Sequence, residues 1–380
     1  MNRDLIRRLI TSVATKPFAI LTGKTGTGKT RLAKYLGEWL GGRQRCLVQP
    51  VGADWTDNRN VVGYFNPVLN QYEPTSILNF ILEAHNDSEH PYFLVLDEMN
   101  LSHVEYYFAD FLSAMESDRK IPLHERSDVV LPGSAGEEDG RRIPQSVGVP
   151  PNLFVVGTVN VDETTKMFSP KVLDRANGIE FVLTGSGFSS FIDGLGEEGG
   201  PTSELSDIEP AKHKGEEFLN LSYAARNVHA DGRPVNLPPL PEDESTNFRQ
   251  ALTSVFEIME RKDEQFGYRT GAEALRYARV GCCLSGGNWD WTTSFDDQMV
   301  QKVLPKLHGG HDDLFELLVA LGSFFATGES EEAEEMLDGD SDPSSYRDWE
   351  ENEDPVFEKS TTKTAELLRE LGRNRFASFL

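Results

Sequence analysis

Residues 23–30 read Gly-Lys-Thr-Gly-Thr-Gly-Lys-Thr, a complete G-x-x-x-x-G-K-[ST]. Few short segments constrain a fold as tightly, because this pattern works only on a loop between a buried strand and the start of a helix. Both flanks are present. Phe18-Ala-Ile-Leu21 is an apolar run of strand length, and Lys29 to Leu40 has helical periodicity closed by Gly41-Gly42. The glycines let backbone N–H groups curl round a phosphate with no Cβ in the way, and the helix N-terminus adds positive potential. Lys29 is then placed to reach the β- and γ-phosphates, and the Thr30 hydroxyl to ligate Mg²⁺. The candidate nucleotide-binding residues are Gly23, Lys24, Thr25, Gly26, Thr27, Gly28, Lys29, Thr30 and Arg31.

Two further apolar runs end in polar residues suited to the same chemistry. Tyr92-Phe-Leu-Val-Leu96 is followed by Asp97-Glu98. A strand ending this way sets Asp97 at the carboxyl edge of the sheet beside the loop, where it can hold Mg²⁺ through the water shell of the ion. Glu98, one residue on, can take a proton from an attacking water. Acids commonly terminate strands, so the pair is informative only together with the loop. The second run, Leu153-Phe-Val-Val-Gly-Thr-Val159, ends in Asn160, which can orient that water. The plainer role for Asn160 is a turn-capping amide.

These runs alternate with helical patterns over the first 185 residues, the mark of a parallel α/β sheet. Arg45–Val51 reads as a second strand and 179–183 as a fifth, with a helix over Thr75–Ala84 capped by Thr75 or Ser76. Val104, Phe108, Phe111, Leu112 and Met115 form a core-facing stripe at helical spacing. A Gly-, Pro- and charge-rich stretch from Asp118 to Pro151 is expected to hold a hairpin near Val129–Leu131. Residues 1–185 are thus one α/β domain and 186–244 an insertion or linker with partial helix at best. Residues 245–327 are helical, 328–360 an acidic solvated loop, and 361–380 a last helix and tail.

Composition excludes several alternatives. A formal charge of −25 argues against a broad phosphate-tracking surface. No apolar run reaches the roughly 18 residues of a membrane helix, and the charged N-terminal segment does not read as a secretory signal. Cys46, Cys282 and Cys283 are too few for a disulfide framework or a zinc site. A cytoplasmic protein without membrane contact is expected. No nuclease-type cluster of acids is visible, and the histidines are scattered.

The phrases DEMNLSHVEYYFADFLSAME and PPNLFVVGTVNVDETTKMFSPKVLDRA, with WTDNRNVVGYFNP from Trp55 to Pro67, resemble the McrB-like branch of AAA+ NTPases, near the dynein-related and MoxR groups. The resemblance resumes at FGYRTGAEALRYA and QKVLPKLHGG and extends to the terminal RFASFL. It implies a P-loop AAA+ module with a five-stranded parallel sheet flanked by helices and a C-terminal helical lid. It implies Mg²⁺-dependent hydrolysis of ATP or GTP in a homo-oligomeric ring, expected to be hexameric, with nucleotide at subunit interfaces. Arg175, in VLDRA, is then the arginine finger, against the plainer reading of a surface salt bridge. Arg269, in FGYR, matches the lid's sensor arginine. An McrC-like nuclease subunit is the implied partner of a restriction or anti-phage motor, and a MoxR-like chaperone acting on a protein client is the alternative.

Two departures qualify the match. GTP-preferring relatives carry Met-Asn-x-x-Asp-Arg, where this chain has Val159-Asn-Val-Asp162-Glu163-Thr164. ATP is therefore expected to be used at least as well as GTP. The P-loop also begins within 25 residues of Met1, which leaves no room ahead of it for a DNA-reading domain. DNA is expected to be reached through a partner, unless the chain is a trimmed or minimal form. Trp55, Tyr64, Phe65 and Tyr72 can face a ring pore and grip a strand or client, but core packing is the commoner fate of such aromatics.

Overall fold

The computed structural model describes residues 3–117, 119–125, 143–161, 166, 168–183, 185–193, 213–228, 236–338 and 348–379. Five apolar runs become the strands β1 (Phe18–Gly23), β2 (Cys46–Pro50), β3 (Tyr92–Asp97), β4 (Leu153–Asn160) and β5 (Asn177–Glu180). They form one sheet in the order β2-β3-β4-β1-β5. Every residue of β1 and β4 is buried, as continuous apolar strands are when helices cover both faces of a parallel sheet. The expected α/β class is thus what the chain adopts: a five-stranded parallel sheet flanked by helices, followed by a C-terminal helical region.

Register matters for the chemistry. β1 and β4 run parallel with Gly23 opposite Asn160, β4 and β3 with Gly157 opposite Leu96, and β3 and β2 with Asp97 opposite Pro50. The ends of β1, β3 and β4 therefore emerge at one carboxyl edge, where open α/β sheets bind ligands. The helix after β1 is α1 (Lys29–Gly41), which buries Leu32, Ala33, Leu36 and Leu40. Before β3 lies α2 (Ser76–Asn86), whose cap is Thr75: its hydroxyl accepts from the Leu78 N–H at 3.1 Å.

Some boundaries differ from those expected. The fifth strand lies at 177–180, earlier than 179–183, and Val182 and Leu183 are exposed beyond it. Their hydrophobicity continues the strand pattern although the sheet has ended. The stripe Val104–Met115 is broken at Phe108, which leaves the helical region and divides it into Val104–Tyr107 and Ala109–Glu116. Val104, Phe108, Phe111 and Leu112 are nevertheless buried. Within the stretch read as insertion or linker, Lys214–Arg226 forms a full helix, α3. Phe218 of α3 packs on Phe93 and Phe154 with ring centroids 5.9 and 4.9 Å apart, so the segment adds to the sheet's core. The hairpin expected near Val129–Leu131 lies outside the described residues. Of the four aromatics considered for a pore, Trp55 and Tyr72 are buried, Tyr64 is exposed, and Phe65 lies between.

Two compact units divide the chain, a sheet unit mainly from residues 16–176 and 180–235 and a helical unit mainly from 236–380. The helical unit contains α4 (Glu242–Glu260), α5 (Tyr268–Leu284), α6 (Trp291–Gln298), α7 (His311–Thr327) and α8 (Glu358–Asn374). Its apolar core gathers Phe248, Val255, Phe295, Leu321, Phe324 and Leu368. A buried ionic group runs beside that core. Lys302, whose side chain is 0% exposed, lies 3.1 Å from Glu273, and Asp297 accepts from Tyr277 and Lys359, each at 2.9 Å. Charges this deep require partners, since an unpaired buried ion costs several kcal/mol, roughly 3–5 when one partner of a pair is removed. Among the described residues of the acidic stretch, Glu331–Asp338 is helical rather than loop, and Trp349 is buried against Gly322.

A pH-sensitive contact sits at the opposite end of β3. Asp87 takes Arg45 Nε at 2.8 Å and faces His90 Nδ1 at 2.6 Å. Burial pushes the Asp87 carboxyl up, but hydrogen bonds from His90 and Arg45 and the charge of Arg45 outweigh it, holding the group below the ordinary range. A folded-state value below the unfolded one contributes stability above the unfolded pKa, near 4, and loses it as pH falls through the folded pKa. Denaturant titrations from neutral pH into the acid range should show Asp87→Asn narrowing its deficit against wild type as pH drops below about 4. A deficit constant with pH would remove Asp87 from the acid response.

Candidate active site

The P-loop takes the conformation its glycines permit. Gly23, Gly26 and Gly28 have φ of 148°, 78° and 96°, a region L side chains rarely adopt. At Gly23 a Cβ would also lie 2.6 Å from the Phe181 carbonyl oxygen, whose own N–H bonds Thr22 across the sheet. Gly28 is the left-handed residue from which α1 begins. Lys29 is 4% exposed, and its ammonium donates to the carbonyls of Gly23 at 2.9 Å and Lys24 at 2.7 Å. The Thr27 hydroxyl also donates to Lys24 O, at 2.8 Å. Lys24, Thr25, Gly26, Gly28 and Arg31 lie on the exposed rim of the loop.

Asp97 meets this loop directly. Thr30 Oγ1 donates to Asp97 Oδ1 at 2.5 Å, and Thr158 Oγ1 donates to the same oxygen at 2.7 Å. The one proton of Thr30 is therefore directed at Asp97, which leaves its oxygen lone pairs for a cation. A hydroxyl and a carboxylate are hard oxygen donors of the kind Mg²⁺ takes, with waters and phosphates completing its shell. Among the described residues no group of three or more His, Cys, Asp or Glu is arranged for a metal ion. The donor set thus suits an ion that arrives with its own oxygen ligands.

Glu98 sits at φ 54° and ψ 48°, left-handed and unusual for a side chain of its length. Such a conformation costs on the order of 1–3 kcal/mol and persists only where the surroundings impose it. Here the Glu98 N–H donates to Thr158 Oγ1 at 3.1 Å, and Asn160 Nδ2 donates to Glu98 Oε1 at 3.2 Å. The turn that follows is anchored as well. Tyr107 donates its hydroxyl to Met99 O at 2.9 Å, and Ser102 donates to Trp55 O at 2.5 Å. Burial pushes the Tyr107 phenol well above its ordinary pKa, so it remains a neutral donor.

The fold therefore gathers the P-loop, Asp97, Glu98 and Asn160 at one sheet edge. Arg175 is held by another partner, with its Nε 2.8 Å from Glu116 Oε2 and both side chains about a quarter exposed. Arg269 is exposed in the first turn of α5, within the helical unit. Asp162, Glu163 and Thr164 lie outside the described residues. Sequence reading missed Thr158. Its signal was present, a lone hydroxyl in an apolar strand two positions before Asn160 and so on the same face.

Residues 215–376 match the profile of Domain of unknown function (DUF8727), less than half of the chain. No curated protein matches. Among solved structures the chain is similar to a "putative ATPase" from Cytophaga hutchinsonii, with a TM-score of 0.49 and 12% identity. That similarity covers 79% of this chain and 80% of the other. The fold assignment rests on strand order, register and the P-loop's own geometry.

Proposed function

We propose that this chain binds and hydrolyses a nucleoside triphosphate, with Mg²⁺, at the carboxyl edge of its sheet. The observation that carries this reading is the joined pair of contacts at that edge, Thr30 to Asp97 at 2.5 Å and Asn160 to Glu98 at 3.2 Å. Residues far apart in sequence meet there, and that meeting supports the roles their motifs suggest. P-loop N–H groups and Lys29 bind the phosphates. Thr30 and Asp97 would hold Mg²⁺, which when bound would neutralise charge on the phosphate oxygens. Glu98 accepts a proton from the attacking water, and Asn160 orients that water. Arg175, from a neighbouring subunit, stabilises charge on the transferred phosphoryl group, and Arg269 is the sensor arginine that the resemblance implies.

The finer reading is a ring-forming motor of an McrBC-like restriction or anti-phage system, with an McrC-like nuclease as partner and DNA reached through that partner. The long shared phrases around Asp97, Asn160 and Arg175 support it. Side-by-side kcat/KM measurements with ATP and GTP, each with and without DNA, test it. ATP should be used at least as well as GTP, because the Asp-Arg half of the GTP-type signature is missing. A site that hydrogen-bonds one base edge rejects the other base strongly, since the wrong base leaves buried polar groups unpaired. A clear GTP preference would show that this signature does not set nucleotide specificity here. Hydrolysis indifferent to DNA but stimulated by a protein client would favour remodelling over restriction.

A further inference from the structure

We propose that Thr158 is a positioning residue for this hydrolytic site, its one hydroxyl holding both the Asp97 carboxylate and the Glu98 backbone. The proposal rests on the reading above, in which Asp97 serves the metal and Glu98 the water. Thr158 is 2% exposed on β4, the strand between β3 and β1. Its oxygen accepts from the Glu98 N–H at 3.1 Å while its proton goes to Asp97 Oδ1 at 2.7 Å. A hydroxyl supplies one donor together with acceptor lone pairs, which is what the two neighbours ask of it.

The consequence is a division of labour along one face of β4. Thr158 secures the main chain of Glu98, and Asn160, two residues on, secures its side chain. Because Glu98 is held at φ 54°, the N–H contact helps keep it out of the ordinary right-handed or extended regions. At Asp97 both hydroxyl donors, Thr30 and Thr158, meet Oδ1. That fixes the rotation of the carboxylate and, among the described residues, leaves Oδ2 without a hydrogen bond. Replacing Thr158 by an isosteric valine keeps the shape but leaves a part-buried N–H and a part-buried carboxylate oxygen each short of a partner. Serine restores the hydroxyl without the methyl.

The test compares wild type with Thr158→Val and Thr158→Ser, with Thr158→Ala as a second hydroxyl-free variant should valine prevent folding. Turnover is measured against Mg²⁺ at saturating ATP, and Tm is recorded in parallel. Thr158→Val should lower kcat roughly 10–100-fold, the scale expected when buried polar groups lose a partner. It should also raise the Mg²⁺ concentration giving half-maximal rate, and Thr158→Ser should recover both to within about threefold. A Thr158→Val protein that loses only Tm, with kcat and Mg²⁺ midpoint unchanged, overturns the proposal. So does Thr158→Ser failing as badly as valine. Lys29→Ala separates the two levels of the argument. An active wild type with an inactive Lys29→Ala and an unaffected Thr158→Val defeats the Thr158 proposal alone, whereas a wild type that hydrolyses no triphosphate defeats both.

Discussion

Arg175→Ala should reduce triphosphate turnover by roughly 10³–10⁵-fold, the range seen where a guanidinium that stabilises phosphoryl charge is removed. Thermal stability should hardly move. The Arg175–Glu116 pair is part-buried, each side chain about a quarter exposed, and ion pairs that keep access to solvent are typically worth only about 0–1 kcal/mol. A large loss of rate without a loss of fold would therefore come from the chemistry. If Arg175 acts on a neighbouring subunit, mixing Arg175→Ala with Glu98→Gln should partly restore activity. Some interfaces then pair an intact arginine from one chain with an intact carboxylate from the other. Specific activity should rise with protein concentration, and nucleotide should promote assembly by binding the associated state. With a formal charge of −25, like-charge repulsion opposes association, so moderate salt should aid it. No recovery in proven mixed assemblies, together with activity per chain independent of concentration, would place Arg175 in cis or outside the mechanism.

The parts of this fold that sequence made legible are those where chemistry and periodicity coincide. β1 and α1 were expected at 18–21 and 29–40 and are found at Phe18–Gly23 and Lys29–Gly41, because the P-loop pins both ends. Asp97 and Asn160 could be assigned to one sheet edge because parallel strands bring all their carboxyl ends together. What sequence concealed depends on long-range partners. The helix Lys214–Arg226 is embedded in Gly-, Pro- and acid-rich sequence, and its Phe218 finds its partners, Phe93 and Phe154, only through the fold. Trp349 looked like part of an acidic loop until Gly322 supplied the space for its ring. Lys302 and Glu273 carry no sign of burial in their spacing, since each is tolerated inside only because the other is there.

The candidate site divides in the same way. The roles proposed for Lys29, Thr30, Asp97 and Glu98 come from motif and position, but the left-handed turn at Glu98 does not. Nothing in Asp97-Glu98-Met99 calls for positive φ, and the conformation is imposed by the Thr158 and Asn160 contacts and by the anchored turn that follows. Thr158 was overlooked because a threonine in a strand is ordinarily explained by β-propensity alone. Arg175 had two readings, a finger and a surface ion pair; the contact with Glu116 gives the second a concrete partner, and the mixing experiment addresses the first.

The most direct measurement separates binding from turnover in Glu98→Gln. Titration with a fluorescent ATP analogue and steady-state phosphate release would be run on wild type, Glu98→Gln and Lys29→Ala. Glutamine keeps the size of the side chain and an oxygen that can still accept from Asn160, but it cannot take the water's proton. Binding by Glu98→Gln should match wild type while turnover falls about 10²–10⁴-fold, the usual worth of a general base. Lys29→Ala should lose affinity itself. Hydrolysis by Glu98→Gln at the wild-type rate, or undiminished binding by Lys29→Ala, would contradict a hydrolytic site at this sheet edge.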